Sequence, residues 1–310
     1  MARPQVSDLA GDLVPSGAVA APHEAAVVAE TAVAGLSHRR LRLRRFRRHP
    51  AGMIGLVLTV LLLGIGLLAN TVAPGDPFAF AGKPLSAPSA DHPFGTDNLG
   101  RDLVKAVIHG LRTSAVVVLW VVLIAAVVGM VIGALAGYRG GWVDDVLMRF
   151  TELFQTIPRF FLVLLVLALF GSGTTNMILV LGLTSWPMLA RVVRAEALSI
   201  RERQFIEAAR SLGASNLRIL RKHVVPNLVP AAVVVIALLA SRIILLEASL
   251  SFLGLGDSDV MSLGFLVSNA QRFIRVAWWM SVFPGAFLAL AVVAVNLLAD
   301  GLNDTLTPTR

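Results

Sequence analysis

The sequence predicts an all-α polytopic membrane protein with six transmembrane helices, on three observations. Of its 310 residues, 56% are hydrophobic and 15% charged, with a mean hydropathy of +0.77, whereas soluble domains carry about 25% charged residues. Apolar runs of membrane-spanning length recur six times. Arginines concentrate in alternate connections, the pattern left by positive charge held on the inner face. The net charge is +8, and 26 of the 27 Lys and Arg residues follow position 38, mostly beside apolar runs. That distribution marks membrane orientation and argues against a nucleic-acid-binding face. With no cysteine, disulfides and thiolate chemistry are excluded.

The elements follow in order. Residues 1–38 are rich in Ala, Val, Pro and Ser without a sustained period, and read as a disordered cytoplasmic tail; a weak amphipathic helix over 23–36 is the alternative. Arg39 to Arg48 hold seven arginines in ten residues, and the charge-free run 51–72 follows, so 39–72 form a basic segment and the first span. That run exceeds the roughly 7–15 residues of a signal-peptide core. An outer-side loop is expected over 73–112, then a core over 113–304 with spans at 113–137, 153–171, 175–193, 228–248 and 279–299. Residues 138–149 and 194–227 would be cytoplasmic, 249–278 an outer loop, and 305–310 a cytoplasmic tail. Charge supports this alternation. Residues 194–227 carry Arg194, Arg201, Arg203, Arg210, Arg218, Arg221 and Lys222, while the basic residues of the outer loops are diluted by Asp76, Asp91, Asp97, Asp102, Asp257 and Asp259. Trp278 and Trp279 open the last span where an aromatic belt is expected.

The charged stretch 194–227 holds the most informative local pattern. Ser199 and Glu202 have capping-box spacing and predict a helix start near 200. Phe205, Ala208/Ala209 and Leu212 then share a face, and Gly213 ends the helix in the left-handed conformation. A second short helix over 215–224 is expected to stop before Pro226. An apolar knob flanked by Glu207 and Arg210 suits a groove on another protein; a connector lying on lipid headgroups would use the same arginines. On the outer side, Asp97 and Asp102 bracket Gly100 and Arg101 in a polar turn, read as a self-satisfying ion-pair loop with either a structural or a substrate-contacting role. Gly254 and Gly256 allow a sharp bend, and Gly129, Gly133 and Gly137 repeat G-x-x-x-G on the second span.

Ionisable groups within spans are candidate functional residues. Arg242 and Glu247 lie five residues apart on the fifth span, about 140° around a helix, so they are not expected to pair. Glu247 reads as a wet group near the outer end, and Arg159 as one that snorkels inward. Arg242 is left as a candidate for the translocation path. The histidines at 23, 38, 49, 92, 109 and 223 lack paired ligand spacing, so no metal site is expected. No G-x-x-x-x-G-K-[ST] occurs, and Lys83, the lysine following a glycine, precedes Pro84. The chain is therefore not expected to be an enzyme or to hydrolyse ATP.

Four ordered segments carry a family resemblance. Glu207-Ala208-Ala209, then Gly213, then Pro226 resembles the EAA loop of ABC importer permeases, with His223 and Val225 where Ile and Leu are usual. Phe94-Gly95-Thr96-Asp97-Asn98-Leu99-Gly100-Arg101-Asp102 resembles the outer-side signature of dipeptide and oligopeptide permease C-type subunits. Residues 247–256, and the stretches 278–279, 283–285 and 296–304, resemble the segments around the fifth and sixth helices of those subunits. The resemblance extends from about 40 to 308. It implies a type I ABC importer permease fold in a bacterial inner membrane, forming half of a translocation path within membrane lipid. It implies coupling through Glu207, Ala208, Ala209 and Gly213 to one or two ATP-binding subunits, which would bind ATP and Mg; none is bound by this chain. It also implies a second homologous permease subunit and an extracytoplasmic substrate-binding protein. The outer-side signature residues are Phe94, Gly95, Asp97, Gly100, Arg101 and Asp102, and the translocation-path candidates Arg242 and Glu247. Di- or oligopeptides are the implied cargo, with nickel or another solute as the alternative within the family. The competing class is a self-contained secondary transporter or channel, which would predict inverted repeats, broken helices and acidic groups near mid-membrane.

Overall fold

The computed structural model describes residues 45–257 and 259–306. The expected 1–38 tail, Arg39 to Arg44 and residues 307–310 lie outside the described residues. Residues 45–49 belong to an N-terminal unit; every span lies in the second unit, from Pro50 onward.

That unit is helical, and among its described residues the only β pairing is two isolated bridges. In order it comprises α1 (Pro50–Leu67), α2 (Leu103–Arg139), α3 (Gly141–Thr156), α4 (Arg159–Phe170), α5 (Thr174–Arg201), α6 (Gln204–Ser211), α7 (Asn216–Ile219), α8 (Val225–Phe252), α9 (Leu263–Ala270) and α10 (Trp279–Leu306). Five stretches are long and apolar enough to cross a bilayer: α1, α2, α5, Asn216–Phe252 and α10. A sixth is reached by counting α3 and α4, bent by 77° to one another, as one broken span. One end of the bundle carries α6 and the other α9.

The sequence predicts an unbroken third span over 153–171, but the chain breaks at Ile157–Pro158. Pro158 disfavours the helical conformation of its predecessor, and Ile157 is extended, at φ −92°, ψ 128°. With 12 residues, α4 rises only about 18 Å, short of a bilayer core of roughly 30 Å. The second span instead starts early. Asp102 caps α2 by accepting from the Val104 and Lys105 amides at 2.8 and 3.1 Å, so helix replaces the last ten residues of the expected 73–112 loop.

Helix α2 lies along α5, and the G-x-x-x-G spacing makes this close approach. A Cβ on Gly129 would sit 2.9 Å from the Leu189 Cβ, one on Gly133 2.8 Å from the Val193 Cβ, and one on Gly137 2.7 Å from the Ala197 Cβ. The buried apolar residues form three clusters. One joins α1, α2, α9 and α10 through Leu62, Val107, Leu266 and Met280. Another joins α2, α4, α5 and α8 through Val121, Leu167, Leu181 and Ile243. The third, at the α6 end, holds Ala197, Ile206, Ile219 and Leu228. Apolar residues such as Leu61, Val131, Leu169 and Val282 remain exposed, as lipid-facing surfaces require.

Candidate functional site

At the α6 end, α6, Gly213 and α7 form an elbow. Ser199 lies within α5, which runs to Arg201, so the predicted capping box does not form and Arg203, without a side-chain cap, precedes α6. The helix end matches its prediction. Gly213 has φ +78°, its amide donates to the Arg210 carbonyl at 2.9 Å, and the Ala214 amide donates to the Ala209 carbonyl at 3.1 Å. This is the paired bonding of a left-handed helix terminus. Ser215 then caps α7 by accepting from the Arg218 amide.

The predicted stop before Pro226 does not occur. A π-helical turn, Leu220–Val224, carries α7 into α8. It accommodates the missing Pro226 N–H, and the Asn227 side-chain amide donates to the His223 carbonyl at 2.6 Å. The elbow is therefore continuous with the span beyond it.

The predicted single apolar face of α6 is in fact two. Ile206 is fully buried and Ala209 packs beside it, fixing the helix to the α5–α8 core. Phe205, Ala208 and Leu212 are exposed, with Leu212 88% accessible, and Glu207 lies exposed among them. Tyr138, near the end of α2 and the chain's one tyrosine, ties down both arms. The Arg210 guanidinium sits 5.9 Å from its ring centroid, and its hydroxyl donates to Asn216 Oδ1 at 3.1 Å. The sequence reading missed Ile206 and Tyr138; Ile206, Ala209 and Gly213 at i, i+3 and i+7 were the available signal for the inner face. It also missed Asp144, which Arg194 grips with two bonds of 2.5 and 2.6 Å, joining α3 to α5.

At the α9 end, the 94–102 signature is a compact knot. Asp97 is 2% exposed and accepts from the Leu99 and Arg101 amides at 2.8 Å each. The predicted ion-pair loop is thus mainly a backbone-satisfied turn, since the Arg101 guanidinium lies 3.9 Å from Asp97 and packs over Phe78. The second Asp102 oxygen meets His92 Nδ1 at 2.9 Å, not Arg101. Phe94 stacks on Phe283 at 4.1 Å, Gly95 lies against Trp279, and Gly100 turns at φ +76°. Trp279 is buried and donates to the Thr96 carbonyl at 3.2 Å, so it is a core residue, not the belt residue expected; Trp278 remains exposed. Gly254 makes the predicted bend with φ +81°, whereas Gly256 is not left-handed.

Glu247 differs most from its sequence reading. It is 1% exposed, not wet. Ser114 of α2 and Ser251 each donate to it at 2.9 Å, and Ser262, which caps α9, is a further donor. Arg242 is on another face, as predicted, exposed and in contact with Met188 Sδ at 3.4 Å. Arg242 and Arg159 instead line one open pocket of about 330 Å³, with Phe160, Leu245, Leu246 and Ser249.

Comparison with known proteins agrees with this architecture. Residues 129–310 match the model of the binding-protein-dependent transport system inner membrane component, and residues 37–91 that of the N-terminal TM domain of oligopeptide transport permease C. A putative peptide transport system permease protein of Brucella abortus is 36% identical over 273 residues, covering 86% of this chain and 91% of the relative. A putative peptide permease protein of the same organism is 38% identical over 268 residues, covering 85% and 89%. The dipeptide transport system permease protein DppC of Bacillus subtilis is 34% identical over 276 residues, covering 88% and 86%. With five to six candidate membrane spans and family matches at both ends, the chain belongs to the inner-membrane components of binding-protein-dependent transport systems, as a multi-pass permease subunit of an ABC importer.

Proposed function

We propose that this chain forms half of the translocation path of a peptide importer, and that α6 docks on a separate ATP-binding subunit. Both termini and the elbow lie in the cytoplasm, and the 94–102 knot and α9 lie outside. The basic residues of 194–227 support that orientation. A second homologous permease completes the path, and an extracytoplasmic binding protein delivers cargo to the outer face. ATP and Mg are bound by the ATPase partner. The relatives named as peptide and dipeptide permeases support the cargo class.

The carrying observation is the division of α6 into a clamped face and a free one. Ile206, Ala209 and Tyr138 hold the element to three spans, while Phe205, Ala208 and Leu212 offer an apolar ridge beside Glu207. Such a ridge fits a groove on a partner, and its rigid attachment lets partner movement reach α2, α5 and α8. The test is Glu207→Lys and Leu212→Asp in the complete complex. ATP-dependent uptake of a radiolabelled dipeptide falls at least tenfold and the ATPase no longer copurifies, while subunit abundance in the membrane holds. Undiminished uptake by both variants overturns the docking role.

A further inference from the structure

We propose that Arg159 and Arg242 form a transient binding station for the cargo's carboxylate, part-way along the path; this rests on the importer reading above. The two guanidiniums come from different elements, the first turn of α4 and the middle of α8, and line the same pocket. Neither has a carboxylate within 4.0 Å among the described residues. Two like charges sharing an open pocket without an acid attract an anion to it.

Their place along the helices argues against a role as interfacial anchors. Arg242 precedes Phe252 by ten residues, about 15 Å of helix, and Arg159 precedes Phe170 by eleven, about 17 Å. Both helix ends lie on the same side, because Thr174, just past α4, donates to Asp257, just past α8, at 3.4 Å. The arginines therefore sit at matching distances from those helix ends, about half the thickness of a bilayer core of roughly 30 Å. An arginine on a membrane-spanning helix is costly against lipid, and intramembrane charges face a bundle interior or a water-filled cavity. The face bearing them is thus the one that a second permease subunit closes into a path.

The chemistry of the pocket selects among cargoes. A guanidinium fork matches a carboxylate in shape and charge, and every unmodified peptide ends in one. Phe160, Leu245 and Leu246 supply an apolar wall for the adjacent side chain. A divalent metal ion would be repelled. The break at Pro158 has a use here, because it places Arg159 at the start of a new helix, level with Arg242.

The test uses the complete complex in proteoliposomes, with ATP and saturating cargo-loaded binding protein. Uptake of radiolabelled alanyl-alanine and of its C-terminal amide is compared in Arg159→Gln, Arg242→Gln, the double variant and Arg242→Lys. Free-acid uptake by the double variant falls at least tenfold, amide uptake changes less than twofold, and Arg242→Lys, which keeps the charge but loses the fork, transports the free acid faster than Arg242→Gln and slower than wild type. Stimulation of ATP hydrolysis by loaded binding protein is kept in all four. If the binding protein does not deliver the amide, loss in Arg242→Gln against rescue in Arg242→Lys decides. Unchanged free-acid uptake in the double variant, or equal losses for acid and amide, overturns the station. Failure of the double variant to assemble with the second permease also overturns it, since the arginines would then pair with an acid of that subunit. A wild-type complex that moves no peptide but carries another solute instead overturns the cargo reading on which the proposal rests.

Discussion

Three serine hydroxyls converge on the Glu247 carboxyl where α2, α8 and the cap of α9 meet. Each is a buried polar group satisfied by this acceptor, and a buried hydroxyl left unpaired costs about 1–3 kcal/mol. Glu247→Leu is therefore expected to lower the melting temperature of the detergent-solubilised complex well beyond Glu247→Gln, which keeps one acceptor oxygen. Equal melting temperatures for the two variants would show that the serines find other partners. The burial was invisible in the sequence because Ser114 and Ser262 lie 133 and 15 residues from Glu247, and nothing local announces that they meet. The left-handed turn at Gly213 was legible, because a helix terminus is decided by the few residues around it.

Among the helices, α2 and α5 approach as closely as the strict glycine spacing predicts. A side chain at Gly133 or Gly137 has no room against the Ala190 and Arg194 carbonyls. Gly133→Leu and Gly137→Leu are each expected to destabilise by about 1–3 kcal/mol or more through overpacking. Gly64→Ala on α1, with nothing within 4 Å of the new methyl, should be near neutral. Thermal unfolding of the purified subunit measures both, and a Gly64→Ala loss equal to that of Gly137→Leu would defeat the packing argument. Helix ends were read less well than helix existence. The apolar runs locate five crossings and the bent pair α3–α4, which Pro158 splits, while Pro226 fails to end the helix before it. The difference is local: a π turn and the Asn227 side chain accommodate Pro226, whereas Ile157 turns extended. Spacing along a sequence cannot distinguish those outcomes.

For the whole molecule, the absence of cysteine provides a direct test of topology. Single-cysteine variants Ser211→Cys, on the exposed elbow, and Ser89→Cys, in the 73–102 loop, should react oppositely with a membrane-impermeant maleimide. In intact cells Ser89→Cys is expected to label and Ser211→Cys only after lysis; the reverse pattern would refute the proposed orientation. Fold class and the ordered signatures were readable because both are carried by composition and contiguous residues. The pairing of Arg159 with Arg242 was not, because it depends on how two spans are set side by side.

Helix α2 runs for 37 residues without a proline or an interruption, a stiff strut of about 55 Å. Asp102 and the knotted turn before it anchor one tip, and Tyr138 grips Arg210 and Asn216 at the other. A push arriving at the elbow has no soft joint along this strut in which to dissipate. On the docking role proposed for α6, a displacement at the elbow is therefore carried to the 94–102 knot as a shift of the whole strut.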